Sequence, residues 1–341
     1  MFPNHILRIT IWLVCLFSML GNLFVIVSRI KYKIPTLHNM LPSEVNTKQN
    51  AFLVNLAVAD FLMGVYLLSI GIADAKFGEH YFLSAYGWRN GVQCKIIGII
   101  GFASNVASLL TLTSVTVERF FFIVFPFGSF HLGSKWKVGI CVTIWITSVV
   151  IAITPLILSA FVQGVFGFSD VCLGLPVVTV PERTDNNVLF ESGSYFGELD
   201  HVGENNDIKN LQWIYSQIVY IYFTSACVLI ITFCYVAMFI SVVASGIISK
   251  RPGGSKDDKK AAMKMSIIVG TDLVCWLPVI AVGILSQAGY EISINLFAWL
   301  AVVVMPINSA FNPLIYTIPA IQKKRTNEPF FIAAKQKPKK I

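Results

Sequence analysis

An all-α bundle of seven transmembrane helices is the fold this sequence predicts, and three observations predict it. The composition is too apolar for water: 55% of the residues are hydrophobic and 13% charged, against about 25% charged in a soluble domain. The mean hydropathy is +0.70. The apolar residues form seven long, continuous runs rather than short alternating ones, so helices rather than a barrel satisfy the backbone in lipid. The basic residues are divided unevenly among the segments between those runs.

Each run holds about 20 apolar residues or more, enough to cross a hydrocarbon core of about 30 Å. In chain order the spans cover about residues 6–29, 51–73, 95–125, 138–160, 212–245, 262–286 and 293–318. The third and fifth exceed what a crossing needs, so they tilt or project beyond the membrane. Residues 1–320 thus read as one seven-transmembrane domain. Residues 321–341 read as a basic cytosolic tail, with a short amphipathic helix after the seventh span. The first span is too long for a signal-peptide core and lacks a small-residue cleavage site after it, so it is expected to act as its own start-transfer segment. No internal repeat is visible.

Charge sets the topology. Arg29, Lys31, Lys33, Lys48, Arg119, Lys135, Lys137, the basic residues from Lys250 to Lys264 and those after residue 322 make up 20 of the 26 Lys and Arg. They fall on one side of the predicted membrane. The positive-inside rule makes that side cytosolic, which puts the N-terminus outside and the C-terminus in the cytosol; the expected location is the plasma membrane. The net charge of +8 is therefore read as topology rather than as a nucleic-acid footprint.

Of the seven cysteines, Cys15, Cys141, Cys227, Cys234 and Cys275 lie in apolar spans, where thiols behave as small hydrophobes. Cys94, at the outer end of the third span, and Cys172, in the long outer loop, both face an oxidising compartment. A disulfide between them is favoured, with two free thiols as the alternative. The loop 161–211 carries eight acids against Arg183 and Lys209. It would draw in a cationic peptide, or it is simply a solvated loop.

Ionisable groups at hydrocarbon depth cost several kcal/mol unless they are paired or hydrated. Asp60, Asp272 and the Glu118–Arg119 pair stand inside the spans. Asn22, Asn55, Asn105, Ser108, Asn308, Ser309 and Asn312 add uncharged polar groups. Facing lipid they would be unsatisfied, so they are expected to converge on the interior. Asn308 and Asn312 are four residues apart and share a face, as do Asp272 and Trp276. An inert interhelical hydrogen-bond network is the plainer reading of the same pattern.

At these residues the sequence resembles a family. Asn22 in GNLFVI, Asp60 in NLAVAD, Glu118-Arg119-Phe120, Trp145, Cys275-Trp276-Leu277-Pro278 and Asn312-Pro313-Leu314-Ile315-Tyr316 follow in order. Each falls in its own span. Together they are similar to the rhodopsin-like (class A) G-protein-coupled receptors from the first helix to the last. NLAVADFLMGVYLL, ERFFFIVFPF, TDLVCWLP and MPINSAFNPLIYT further resemble the leucine-rich-repeat-containing relaxin and glycoprotein-hormone receptor branch. That branch also lacks a central proline in the fifth span, where Cys227 stands here. The resemblance covers the transmembrane part only.

The resemblance implies a receptor and not an enzyme. It implies partners outside and inside: a peptide or protein hormone, and a heterotrimeric G protein, with Gs and cyclic AMP as the expected route. It makes Glu118, Arg119, Tyr235 and Asp258 the coupling latch, with Arg119 paired to Glu118 and Asp258 at rest. Asp258 lies 20 residues before Pro278, about 30 Å of helix, so it reaches the inner surface. A solvated charge among Lys256–Lys260 is the alternative. Asp272, Trp276, Pro278, Asn308, Asn312, Pro313 and Tyr316 become the activation switch, with Pro278 as a kink beneath which the sixth helix swings. Asp60, Ser108, Asn308 and Asn312 resemble an allosteric sodium site; no other cofactor is expected.

Rival functions fit less well. Retinal chemistry needs a lysine in the seventh span, and none lies between residues 265 and 322. Amine recognition needs an acid in the third span, where Gly101 stands instead. A transporter or channel would show repeated halves and broken helices. A signalling-inactive receptor remnant is argued against by Arg119, Trp276 and Tyr316.

Overall fold

In a bilayer every backbone N–H must find its carbonyl within its own segment, so the apolar runs fold as helices. The computed structural model describes residues 4–31, 43–125, 132–161, 171–172, 215, 217–248, 270–271, 273–285, 288, 290, 296 and 299–314. Five helices in it are long and apolar enough to cross a membrane. Two shorter apolar helices, Leu273–Leu285 and Leu300–Leu314, stand where the sixth and seventh spans are expected. The expected amphipathic helix after the seventh span and the tail lie outside the described residues.

The first span is His5–Lys31 and the second Ser43–Phe77, which runs further outward than the sequence suggests. Gly78 then turns the chain at φ +50°, a conformation that glycine adopts without a Cβ penalty. After one 3-10 turn, a ten-residue helix, Tyr81–Asn90, caps the outer surface. Sequence periodicity missed it because it is too short to cross. Its Tyr81, Ala85 and Trp88 face inward at helical spacing, and Phe77 meets Tyr81 and Trp88 edge-on at 6.0 and 5.6 Å. The third span, Val92–Val124, has 33 residues, about 50 Å of helix, so it projects beyond the core as expected. The fourth is Ser134–Phe161, with Pro155 inside it. The fifth opens with a π turn, Gln217–Phe223, and continues as Thr224–Ile248. The seventh contains a π turn too, Leu300–Val304.

Packing divides the spans into centre and rim. In their most apolar stretches the second and third helices are 61% and 67% buried within the protein, the first and fourth 33% and 22%. Phe17, Leu20 and Phe24 of the first span and Ile146 and Val150 of the fourth point outward, as lipid-facing side chains do. The main core joins Leu7, Ile11 and Cys15 of the first span to Met63, Tyr66 and Ile70 of the second and Val302 of the seventh. Close approach depends on glycine. A Cβ on Gly21 would stand 2.9 Å from the Pro313 ring, and one on Gly101 would stand 2.5 Å from the Tyr66 ring.

Candidate signalling core

The polar residues converge as the sequence predicts. Asp60, in the middle of the second span, is fully buried. Its Oδ1 accepts hydrogen bonds from Ser108 Oγ of the third span and Ser309 Oγ of the seventh, both at 2.9 Å. Its Oδ2 accepts from Asn312 Nδ2 at 2.8 Å. The first span joins through backbone: Ser18 Oγ donates to the Asp60 carbonyl at 2.6 Å, and Asn22 Nδ2 donates to the carbonyls of Ser18 and Ser309 at 2.8 and 2.9 Å. The carboxylate therefore ties the second, third and seventh spans together, and the first joins them through backbone carbonyls. Among the described residues no lysine or arginine forms an ion pair with it.

Asn308, named from sequence as a partner of Asp60, is buried but makes no hydrogen bond to it. Its Oδ1 has no hydrogen-bond partner among the described residues, and neither has Asn312 Oδ1. Ser309 takes the place assigned to Asn308. One residue along a helix rotates the side chain by about 100°, and Ser309 with Asn312 forms the three-residue spacing that faces Asp60. That spacing was the available signal.

A second polar junction lies nearer the Glu118 end of the third span. Trp145 Nε1 of the fourth span donates to Asn55 Oδ1 at 2.8 Å, and Asn55 Nδ2 donates to Thr111 Oγ1 at 2.7 Å. Second, third and fourth spans meet there. Thr111 was not singled out from sequence, because a threonine inside a helix ordinarily bonds its own backbone. It does that too, donating to the Ala107 carbonyl at 2.6 Å.

The latch differs from expectation. Glu118 does not pair with Arg119. It forms an ion pair with Lys137 of the fourth span, a residue read from sequence only as a cytosolic charge. Lys137 is 2% exposed. It shares a face with Ile144, Ser148 and Ala152, all buried at helical spacing, and this pattern could have revealed it. Arg119 is half-buried and makes no ion pair with a described residue. Asp258 lies outside the described residues, as do Asp272 and Tyr316 of the switch. Tyr235 is half-buried against the cluster that includes Trp276.

Trp276 is buried among Leu109, Leu112, Cys227, Val228 and Ile231. Pro278, two residues on, lies in the sixth helix as predicted. A small cavity of about 10 Å³ borders Trp276, Asn105 and Thr224, room for about one water. The π turn of the fifth span opens beside it, and Thr224 Oγ1 donates to the Val219 carbonyl at 3.2 Å, five residues back.

The outer end is anchored covalently. Cys94 and Cys172 form the expected disulfide, with Cα atoms 5.1 Å apart. Tyr66 OH donates to the Val171 carbonyl at 2.8 Å. Cys172 sits at φ +60°, which a non-glycine residue holds only when its surroundings enforce it. A Cβ on Gly98 would come within 1.9 Å of the Cys172 carbonyl oxygen, so Cys172 lies directly on the third helix. Arg8 Nε stands 3.2 Å from Asp74 Oδ2 and joins the first and second spans at this level.

Comparison with known proteins agrees with this architecture. Residues 21–176 and 200–316 match the family described as 7 transmembrane receptor (rhodopsin family). The chain is 32% identical over 316 residues to G-protein coupled receptor GRL101 of Lymnaea stagnalis, covering 92% of this chain and 25% of that protein. It is 30% identical over 316 residues to human Relaxin receptor 2, covering 92% of this chain and 37% of that protein. A Probable glycoprotein hormone G-protein coupled receptor of Anthopleura elegantissima is 30% identical over 280 residues, 81% of this chain and 26% of that protein. The chain thus spans between a quarter and two fifths of the length of these relatives. The family match runs from the first span to the last through Asp60, Arg119, Trp276 and Asn312, and the chain belongs to the rhodopsin family of seven-transmembrane receptors.

Proposed function

We propose that this chain carries an extracellular hormone signal to a heterotrimeric G protein by rearranging its spans, with its N-terminus outside the plasma membrane and its C-terminus in the cytosol. The observation that carries the reading is the Asp60 junction, where one buried carboxylate is shared by donors from the third and seventh spans. Both serine hydroxyls donate to a single oxygen, Asp60 Oδ1. A small rotation of the seventh span against the third must therefore break or exchange a bond.

Magnitudes suit a switch. A hydrogen bond between membrane helices is worth about 0.6 kcal/mol on average, up to about 1.7. Three of them hold on the order of 2–5 kcal/mol. Reversing a two-state population from 1:99 to 99:1 takes about 5.5 kcal/mol. The junction biases the resting arrangement, and a ligand with differential affinity for the other state can overturn it.

We also propose a sodium ion at the Asp60 junction. A hard cation takes oxygen ligands, and Asp60 brings a carboxylate to two buried amide oxygens that lack donors, Asn308 Oδ1 and Asn312 Oδ1. Asp60, Ser108, Ser309 and Asn312 would hold the ion, with Asn308 beside them. A bound ion would supply the positive charge that no described protein residue gives Asp60, and would favour the resting state.

The relatives named as relaxin and glycoprotein-hormone receptors support a peptide or protein hormone as the stimulus, and the output proposed with it is Gs and cyclic AMP. The test is cyclic AMP and calcium in cells bearing the chain at the surface, unstimulated and with relaxin-like peptides. Arg119→Ala serves as the uncoupled control. Cyclic AMP above that control supports the reading. Output equal to the control for every G-protein pathway, with normal surface expression, ends it.

A further inference from the structure

We propose that Lys137 is a positioning residue for G-protein coupling: it draws Glu118 away from Arg119 and leaves the arginine available to the partner. The proposal rests on the receptor reading above. Its observation is the choice Glu118 makes between two cations. Arg119 is the next residue in the chain, yet the carboxylate pairs with Lys137, which lies 19 positions later on another helix.

The physical reason lies in burial. Lys137 is 2% exposed, and its Nζ lies 5.8 Å from the ring centroid of Phe52, itself 1% exposed on the second span. The aromatic face attracts the ammonium but does not neutralise it. Stripped of water, that ammonium needs an anion, because an unpaired buried charge is among the most destabilising features a fold can carry. Arg119 is half-buried and reaches water, so it loses less by giving up the acid. Guanidinium is also more weakly hydrated than ammonium and offers a fixed fork of donors. An arginine with no ion-pair partner among the described residues, at this end of the third span, is suited to meet carbonyls or carboxylates of an incoming partner. Lys137 thereby clamps the inner ends of the second, third and fourth spans and sets the charge state of the surface beside them.

The sign of the effect separates this role from a resting lock. Without Lys137, Glu118 turns to its neighbour and holds Arg119. Basal nucleotide exchange on a panel of purified heterotrimeric G proteins, measured with the full chain in membranes and normalised to receptor amount, is expected to fall about fivefold or more in Lys137→Met, the lower end of a typical coupling between sites. Adding Glu118→Gln to that variant removes the competing acid and is expected to restore exchange. A rise or no change in Lys137→Met overturns the proposal, as does a double variant that stays low. A merely structural pair would lower the thermal midpoint in Lys137→Met and recover it in the charge-swapped Glu118→Lys/Lys137→Glu chain while exchange per folded receptor stayed constant; that pattern also overturns the proposal. Wild-type exchange no higher than in Arg119→Ala would sink the receptor reading itself, and this inference with it.

Discussion

The outer end and the middle of this bundle are held together by different forces. Outside, a disulfide, the Tyr66 hydroxyl and a glycine contact that leaves no room for a methyl group fasten the loop to the third helix. In the middle, two hydroxyls and an amide of the third and seventh spans share the Asp60 carboxylate of the second, and Ser18 of the first holds the Asp60 backbone carbonyl. Covalent and steric contacts have one arrangement. Hydrogen bonds to a carboxylate have several of similar energy, since each oxygen accepts more than one donor. The difference teaches where the proposed rearrangement would act: the disulfide end is the fixed platform and the Asp60 junction the element with alternatives.

Breaking the platform should cost most. Cys172→Ser releases a cross-link between residues 78 apart, worth about 4 kcal/mol by the loop-entropy relation. Surface expression is expected to collapse, measured by labelling an outer epitope. Near-normal expression would show that packing alone holds the loop.

Gly98→Ala attacks the same platform sterically. Its methyl group would meet the Cys172 carbonyl at 1.9 Å, and overpacking of this kind costs about 1–3 kcal/mol. The thermal midpoint of the purified chain should drop, and an outer-loop antibody or peptide should bind more weakly. A midpoint equal to wild type would mean that the loop yields freely.

Asp60→Asn tests the junction. The amide keeps the shape but removes the charge and offers a donor where three donors already point. The chain should still reach the surface, whereas basal and stimulated cyclic AMP should change together by about fivefold or more. Any effect of sodium on agonist affinity should vanish. Unchanged signalling at normal expression would make the junction structural glue.

The smallest effect belongs to Ser309→Ala. It removes one of the two hydroxyls on Asp60 Oδ1, about 0.6 kcal/mol on average. Basal activity should move about threefold, with stability nearly constant. If Ser108→Ala and the double variant give additive shifts, the two hydroxyls act independently; non-additivity would show that they share one switch.

Much of this was legible in the chain itself. Seven apolar runs, the basic bias of alternate segments and the polar groups at helix depth follow from the one-dimensional order, because burial in lipid penalises every misplaced charge in the same way. Asp60, Ser108 and Asn312 could be named as converging for that reason. Cys94 and Cys172 could be paired because compartment and topology leave few partners. The short outer helix, the π turns, Ser309 and Lys137 were not legible to the same degree. A ten-residue helix lacks the length that marks a span, and a π turn shifts the face of a helix without changing its composition.

By itself the sequence determined which segments cross the membrane, on which side its charges collect, and which side chains are too polar to face lipid. Those outcomes depend on transfer energies, which add along the chain. Only the tertiary structure decided which neighbours those side chains chose: Ser309 rather than Asn308 for Asp60, and Lys137 rather than Arg119 for Glu118. Helical rotation and burial set those choices. A turn of about 100° per residue redirects a side chain to another partner, and the more deeply buried of two cations has the greater need of the acid.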